Sequence, residues 1–322
     1  MDTRLDVWNN WKIENLIGQG AFGKVYKVKK TDVEYDCYKA VKIISFPQDE
    51  FELIELKNSG MDAEAIEEYY NEIMRTITNE IRIMLALRES QHVVFIEDYK
   101  LERTENGIGG CVYIRMELLE SLSKYIEKKK TLSILEIIHL GIDICSALEY
   151  CENLNVVHRD IKTDNIFVDE DGSFKLGDFG IAKRMALNSF MHTQKGTEMY
   201  IAPEVYQGAH YNHTVDMYSL GILLYRLINK GRFPFMPKMP TSLKPNDAKI
   251  AVQRRLRGER LETLQEIKGT KLEYVILHAC EYESYNRYQN AREMKADLED
   301  CLRLMNKPGT VQGSKLKFSK GW

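Results

Sequence analysis

At 322 residues the chain is long enough for one large domain or for two lobes around a shared cleft. Hydrophobic residues make up 44% and charged residues 29%, an ordinary globular balance. The 45 basic and 48 acidic residues leave a net charge of -3, which removes any global reason to expect nucleic-acid binding.

Met1-Asp2-Thr3-Arg4 is followed by no apolar run, so no signal peptide is expected. Residues 12–44 alternate apolar and polar around a glycine-rich break and read as strands and tight turns. Residues 49–89 carry Ile, Leu and Met at helical spacing, with a break at Asn58-Ser59-Gly60. Strand character returns over 93–118, with a turn at Asn106-Gly107-Ile108-Gly109-Gly110. From Ser133 onward the pattern is mainly helical, apart from short strands expected at Ile166–Val168 and Phe174–Leu176 around the turn Glu170-Asp171-Gly172. The apolar stretch Leu220–Tyr225 is too short to span a bilayer and is broken by Arg226. Asn306–Trp322 has little periodicity and reads as a flexible tail or linker. Cysteines at 37, 111, 145, 151, 280 and 301 form no Cys-x-x-Cys pair and sit beside no His at zinc spacing, so free thiols in a reducing compartment are expected. A cytoplasmic protein follows as the default.

Several segments carry chemistry. Gly18-Gln19-Gly20-Ala21-Phe22-Gly23-Lys24-Val25 has a G-x-G-x-x-G spacing that alone is a weak signal, since two unrelated folds use it. A dinucleotide fold needs a helix directly after the glycines. Here Val25-Tyr26-Lys27-Val28-Lys29 alternates as a strand does, which favours a hairpin laid over phosphates. In Lys39-Ala40-Val41-Lys42, Ala40 and Lys42 share a strand face, leaving room for a flat base beside a phosphate-reaching lysine. A strand lysine taken alone is usually only solvated. Downstream lie Val157-His158-Arg159-Asp160-Ile161-Lys162-Thr163-Asp164-Asn165, then Gly177-Asp178-Phe179-Gly180, then Ala202-Pro203-Glu204.

In this order the segments match the protein-kinase signature, and the chain resembles the eukaryotic-like protein kinases over about residues 8–304. Cys280–Met294 looks like the last helical segment of bacterial serine/threonine kinases. The resemblance implies an α+β bilobal fold: a small antiparallel β-sheet lobe with one main helix (8–117), then a larger, mainly helical lobe (118–304), then a tail (305–322). It implies ATP as phosphate donor and Mg2+, with Mn2+ able to replace it. Asp160 would orient the acceptor hydroxyl and take its proton. Lys162 would stabilise the transferring phosphate, and Asn165 and Asp178 would hold the metal. Lys42 would bind the α- and β-phosphates under the Gly18, Gly20 and Gly23 loop. Met116 would guard the back of the pocket, and the backbone of Glu117 and Leu119 would meet the adenine edge. Val25, Ala40 and Phe167 would sandwich the base.

The glutamate partner of Lys42 has two candidates, Glu72 and Glu80, both farther along than the family usually places it. Glu80 is chosen because Leu85, Leu87, His92 and Val93-Val94 follow it at close to the family spacing. The choice implies an insertion around Phe46–Tyr70, read as an extra helix on the small lobe or as a docking surface. Lys162 and Thr197 are the serine/threonine forms of their positions, so protein substrates with Ser or Thr acceptors are expected. Glu204 is expected to pair with Arg287, and Asp216 resembles the buried aspartate that braces the catalytic loop. Arg159 beside Asp160 suggests activation-loop phosphorylation, with Thr193 the expected site and self-association the expected route. The rival is a pseudokinase scaffold without phosphate transfer, whose usual mark is loss of Lys42, Asp160 or Asp178. All three stand.

Overall fold

The computed structural model describes residues 8, 10–20, 23–32, 35–47, 50–104, 108–179, 197–237, 244, 246–305 and 315–318. These gather into two compact units. One holds the described residues up to Glu89 and from Val94 to Leu119; the other holds Ser90–Val93 and the described residues from Glu120 onward. The division falls just after the expected boundary because Glu120 and Ser121 pair with Val168 and Phe167 of the second unit.

In the first unit, strands β1 (Trp11–Gly20), β2 (Gly23–Thr31), β3 (Asp36–Phe46), β4 (Ile96–Arg103) and β5 (Gly110–Met116) form an antiparallel sheet in the order β1-β2-β3-β5-β4. The β1–β2 hairpin closes with Gly20 opposite Gly23. Gly23 has φ +151°, and a Cβ there would lie 2.3 Å from the Ile43 carbonyl oxygen, so only glycine fits without a shift. On one face Val28, Val41 and Tyr113 form a small core, covered by Trp8, Trp11 and Ile13. The Arg115 guanidinium lies 4.9 Å from the Trp8 ring and 5.2 Å from the Trp11 ring.

Helix α1 (Glu50–Asn58) ends at the expected Asn58-Ser59-Gly60 break, with Gly60 at φ +91°. It leaves Phe51 and Ile54 exposed and Leu53 and Leu56 half-buried. Helix α2 (Ala63–Leu87) starts at Asp62, whose carboxylate accepts the Ala65 N–H at 2.8 Å. Its stripe Ile66, Tyr70, Ile73, Ile77, Ile81 and Met84 is buried at the helical period. The main helix therefore begins inside the segment read as an insertion, and the extra length lies at its N-terminal end.

In the second unit, β6 (Glu120–Ser121), β8 (Ile166–Val168) and β9 (Phe174–Leu176) form a small sheet, with both short strands where the sequence places them. Helix α3 (Leu122–Lys129) and strand β7 (Thr131–Ser133) lead to α4 (Ile134–Asn153), which opens with a reciprocal Ser133–Glu136 capping box. After the short α5 (Pro203–Tyr206) comes α6 (Thr214–Ile228), buried on nearly every side. This is the apolar stretch noted above: it is core, and no described helix is long and apolar enough to cross a membrane. A Cβ at Gly221 would lie 2.7 Å from Cys280 Sγ, so glycine sets the close approach of α6 to the helix that ends beside Cys280. Helices α7 (Asp247–Leu256), α8 (Lys271–Ala279) and α9 (Ala291–Met305) complete the unit. All six cysteines are free.

The described part of the tail, residues 315–318, contains a short strand. Strand β10 (Lys315–Lys317) pairs antiparallel with β7, placing Leu316 opposite Leu132, both buried. A three-residue strand has too few alternations to register in a periodicity reading. Its pairing depends on the β7 edge, far away in sequence.

Candidate active site

On the first unit's sheet, Val25 is opposite Lys42 and Gly18, while Ala40 is opposite Met116. Alternation therefore brings Gly18, Val25, Ala40, Lys42 and Met116 to one face. A Cβ on Gly20 would meet nothing within 4 Å, so that position borders open space. The Glu117 N–H donates to the Phe95 carbonyl at 3.1 Å, and the Phe95 N–H donates to the Glu117 carboxylate at 2.6 Å. Glu80 is 5% exposed on the inward stripe of α2, whereas Glu72 is exposed.

In the second unit a loop cluster forms around Asp160. The Lys162 Nζ lies 3.0 Å from Asp160 Oδ2. The Asn165 Nδ2 donates to the same oxygen at 2.9 Å and to the Asp160 carbonyl at 2.8 Å. Asp216, on α6, accepts the His158 N–H on Oδ2 and the Arg159 N–H on Oδ1, each at 2.8 Å. Burial pushes the Asp216 carboxyl up, and these two N–H groups oppose that rise by favouring its charged form. The same two bonds hold Arg159 at φ +68°, a strained value for a residue with a Cβ. The Arg159 guanidinium lies 5.1 Å from the Tyr211 ring.

His158 joins this loop to the next. Burial pushes its pKa down, so the ring is neutral at ordinary pH. Its Nε2 faces the Gly177 carbonyl at 3.1 Å, while Nδ1 faces the Asp160 N–H at 3.3 Å. A carbonyl can only accept and an N–H can only donate, which puts the ring proton on Nε2. The Gly177 N–H donates to the Asn165 carbonyl at 2.9 Å, and Phe179 meets the His158 ring edge-on at 4.7 Å. Asp178, held between these anchors at φ +58°, is thereby tied to the Asn165 loop.

The donor chemistry fits a hard divalent cation. Asn165 commits its NH2 to Asp160, leaving an amide oxygen, and Asp178 supplies a carboxylate. Phe167 lies on β8 of this unit, while the other base-contacting candidates belong to the first unit. Thr197 opens a short 3-10 turn, Thr197–Met199. Thr193 lies outside the described residues. Arg287 and Glu204 form a two-pronged pair at 2.6 and 2.9 Å. Arg255, which the sequence reading passed over, is buried at 4% exposure and donates to main-chain carbonyls ahead of Ala202-Pro203-Glu204. No local pattern marks it.

A family model described as a protein kinase domain matches residues 11–305. Over 295 residues the chain is 31% identical to a Clostridium perfringens protein named "Probable serine/threonine-protein kinase CPE1738", covering 90% of this chain and 38% of that one. It is 29% identical to serine/threonine-protein kinase PrkC of Bacillus subtilis over 94% of this chain and 42% of PrkC. It is 32% identical to the SNF1-related protein kinase catalytic subunit alpha KIN12 of Arabidopsis thaliana over 70% of this chain and 40% of that one. The chain thus spans about two fifths of the length of these relatives. The family match runs through both units and takes in every segment from the glycine hairpin to Arg287, so the chain belongs to the protein kinase family, with bacterial serine/threonine kinases among its relatives.

Proposed function

We propose that this chain transfers the γ-phosphate of ATP to serine and threonine hydroxyls of proteins, with Mg2+ or, in its place, Mn2+. The observation that carries the reading is the Asp160–Lys162–Asn165 cluster, braced from beneath by Asp216. Asp160 accepts the proton of the acceptor hydroxyl as the phosphate departs from ATP. Lys162, already beside that carboxylate, steadies the transferring phosphate. Asn165 and Asp178 are the residues that would hold the ion, which when bound neutralises charge on the phosphates. Lys42 grips the α- and β-phosphates beneath the Gly18, Gly20 and Gly23 hairpin. The face shared by Val25, Ala40 and Met116 receives the base, Phe167 is proposed as a further contact to it, and the backbone of Glu117 and Leu119 reads its edge.

We assign Glu80 as the partner of Lys42, and its burial supports that choice over the exposed Glu72. Glu80→Gln is expected to lower kcat/KM by about 10-fold or more, while Glu72→Gln stays near wild type. Steady-state kinetics on both variants checks this; the reverse pattern would move the assignment.

Thr197 aligns the acceptor and, with Lys162, selects Ser and Thr. Thr193 is the proposed site of autophosphorylation between two copies, in a cytoplasmic setting. Incubation with radiolabelled ATP, Mg2+ and generic protein acceptors, followed by phosphosite mapping, tests the whole reading. Label is expected on Ser and Thr of the acceptors and on Thr193. Label on Tyr would sink the specificity, and an unmodified Thr193 in an active sample would remove the regulatory claim.

A further inference from the structure

The segment Glu198–Ile201, which follows Thr197, carries among the described residues a single 3-10 turn, Thr197–Met199, as its regular structure. Its main-chain carbonyls are instead met by side chains from two helices. Arg255, in the last turn of α7, donates from Nη2 to the Glu198 carbonyl at 2.8 Å and from Nη1 to the Ile201 carbonyl at 2.6 Å. Ser219 of α6 donates to the Tyr200 carbonyl at 3.0 Å. Arg226 of α6 donates to the Tyr200 hydroxyl at 2.6 Å.

Arg255 is the unusual member. It is buried, yet among the described residues no carboxylate ion-pairs with it. Its third acceptor is the Tyr218 hydroxyl at 2.8 Å, and burial keeps that hydroxyl protonated by pushing its pKa up. Tyr218 also lies under the Arg287 guanidinium at 4.6 Å, so one ring joins Arg255 to the Glu204–Arg287 pair. Burying a guanidinium is costly unless short charge-assisted bonds offset the lost water. Two of those bonds end on main-chain carbonyls of one short segment. The stability of the arginine and the shape of that segment are therefore coupled.

We propose that Arg255 is a positioning residue for the acceptor: it fixes Glu198–Ile201, and through it Thr197, so that a substrate hydroxyl is presented to Asp160. This rests on the phosphotransfer reading above. A planar fork is required, because a lysine ammonium cannot reach both carbonyls and the hydroxyl in the same directions.

The test is full steady-state kinetics of the whole chain with a Ser-containing peptide acceptor, for wild type, Arg255→Lys and Tyr218→Phe, with thermal midpoints measured alongside. Arg255→Lys is expected to raise the acceptor KM by about tenfold or more while the ATP KM stays within about twofold. Tyr218→Phe, which spares both carbonyl bonds, is expected to shift the acceptor KM in the same direction by about two- to threefold. An unmoved acceptor KM in a folded Arg255→Lys overturns the proposal, as does an equal rise in both KM values. Should Arg255→Lys not fold, an unmoved acceptor KM in Tyr218→Phe overturns it. Absence of transfer by the wild type would overturn the phosphotransfer reading and this inference together; wild-type transfer with an unmoved acceptor KM overturns this inference alone.

Discussion

Asp160→Asn is expected to lower the rate of phosphate transfer by about 10²–10⁴-fold, the usual contribution of a positioned general base. The substitution preserves side-chain volume. An amide oxygen can still accept from Lys162 and Asn165, which lie 3.0 and 2.9 Å from the native carboxylate. The two Asp216 bonds to the His158 and Arg159 N–H groups do not involve the Asp160 side chain, so the loop keeps its brace. What disappears is the ability to take a proton. The effect should therefore fall on kcat, with little change in thermal midpoint. Label transfer at saturating ATP and acceptor measures it. A variant within about tenfold of wild type would remove Asp160 from the role of base.

Glu204→Gln is expected to destabilise the second unit by about 3–5 kcal/mol, the scale for stranding one partner of a buried ion pair. The Arg287 side chain is fully buried, with 0% of its surface exposed, and Glu204 retains 14%. Arg287 also donates to the Glu281 carbonyl at 2.6 Å and the Tyr282 carbonyl at 2.7 Å, so it is locked in place and cannot turn to water when its carboxylate goes. A glutamine returns one acceptor oxygen and no charge. Chemical denaturation of both proteins gives the difference. The Arg75–Glu68 pair, whose side chains are 68% and 64% exposed, serves as the contrast: breaking it should cost at most about 1 kcal/mol. A loss for Glu204→Gln as small as that would mean that the pair is relieved by water or by movement of α5.

The ordered motifs are chemistry written in short, contiguous runs. Asp160, Lys162 and Asn165 lie within one loop, and the alternation of β2 and β3 already puts Val25, Ala40 and Lys42 on one face. Local periodicity likewise marks the strands at 166–168 and 174–176 and the helix break at Asn58-Ser59-Gly60. Such features depend on residues a few positions apart, which is the range over which backbone geometry imposes a pattern.

Tertiary structure decided the rest. Spacing favours Glu80 over Glu72 as the proposed partner of Lys42, but that Glu80 is buried and Glu72 exposed follows only from the packing of α2. Burial depends on which side of a helix meets the sheet, a fact no single turn of helix contains. The tail reads as featureless until β7 offers it an edge. Arg255 carries no motif at all, because its partners Glu198, Ile201 and Tyr218 come from other elements brought to it by folding. The sequence by itself determined the candidate reacting groups and their order along the chain. The tertiary structure decided which distant side chains hold those groups still, since long-range hydrogen bonds and burial are properties of packed surfaces and leave no periodic trace in the chain.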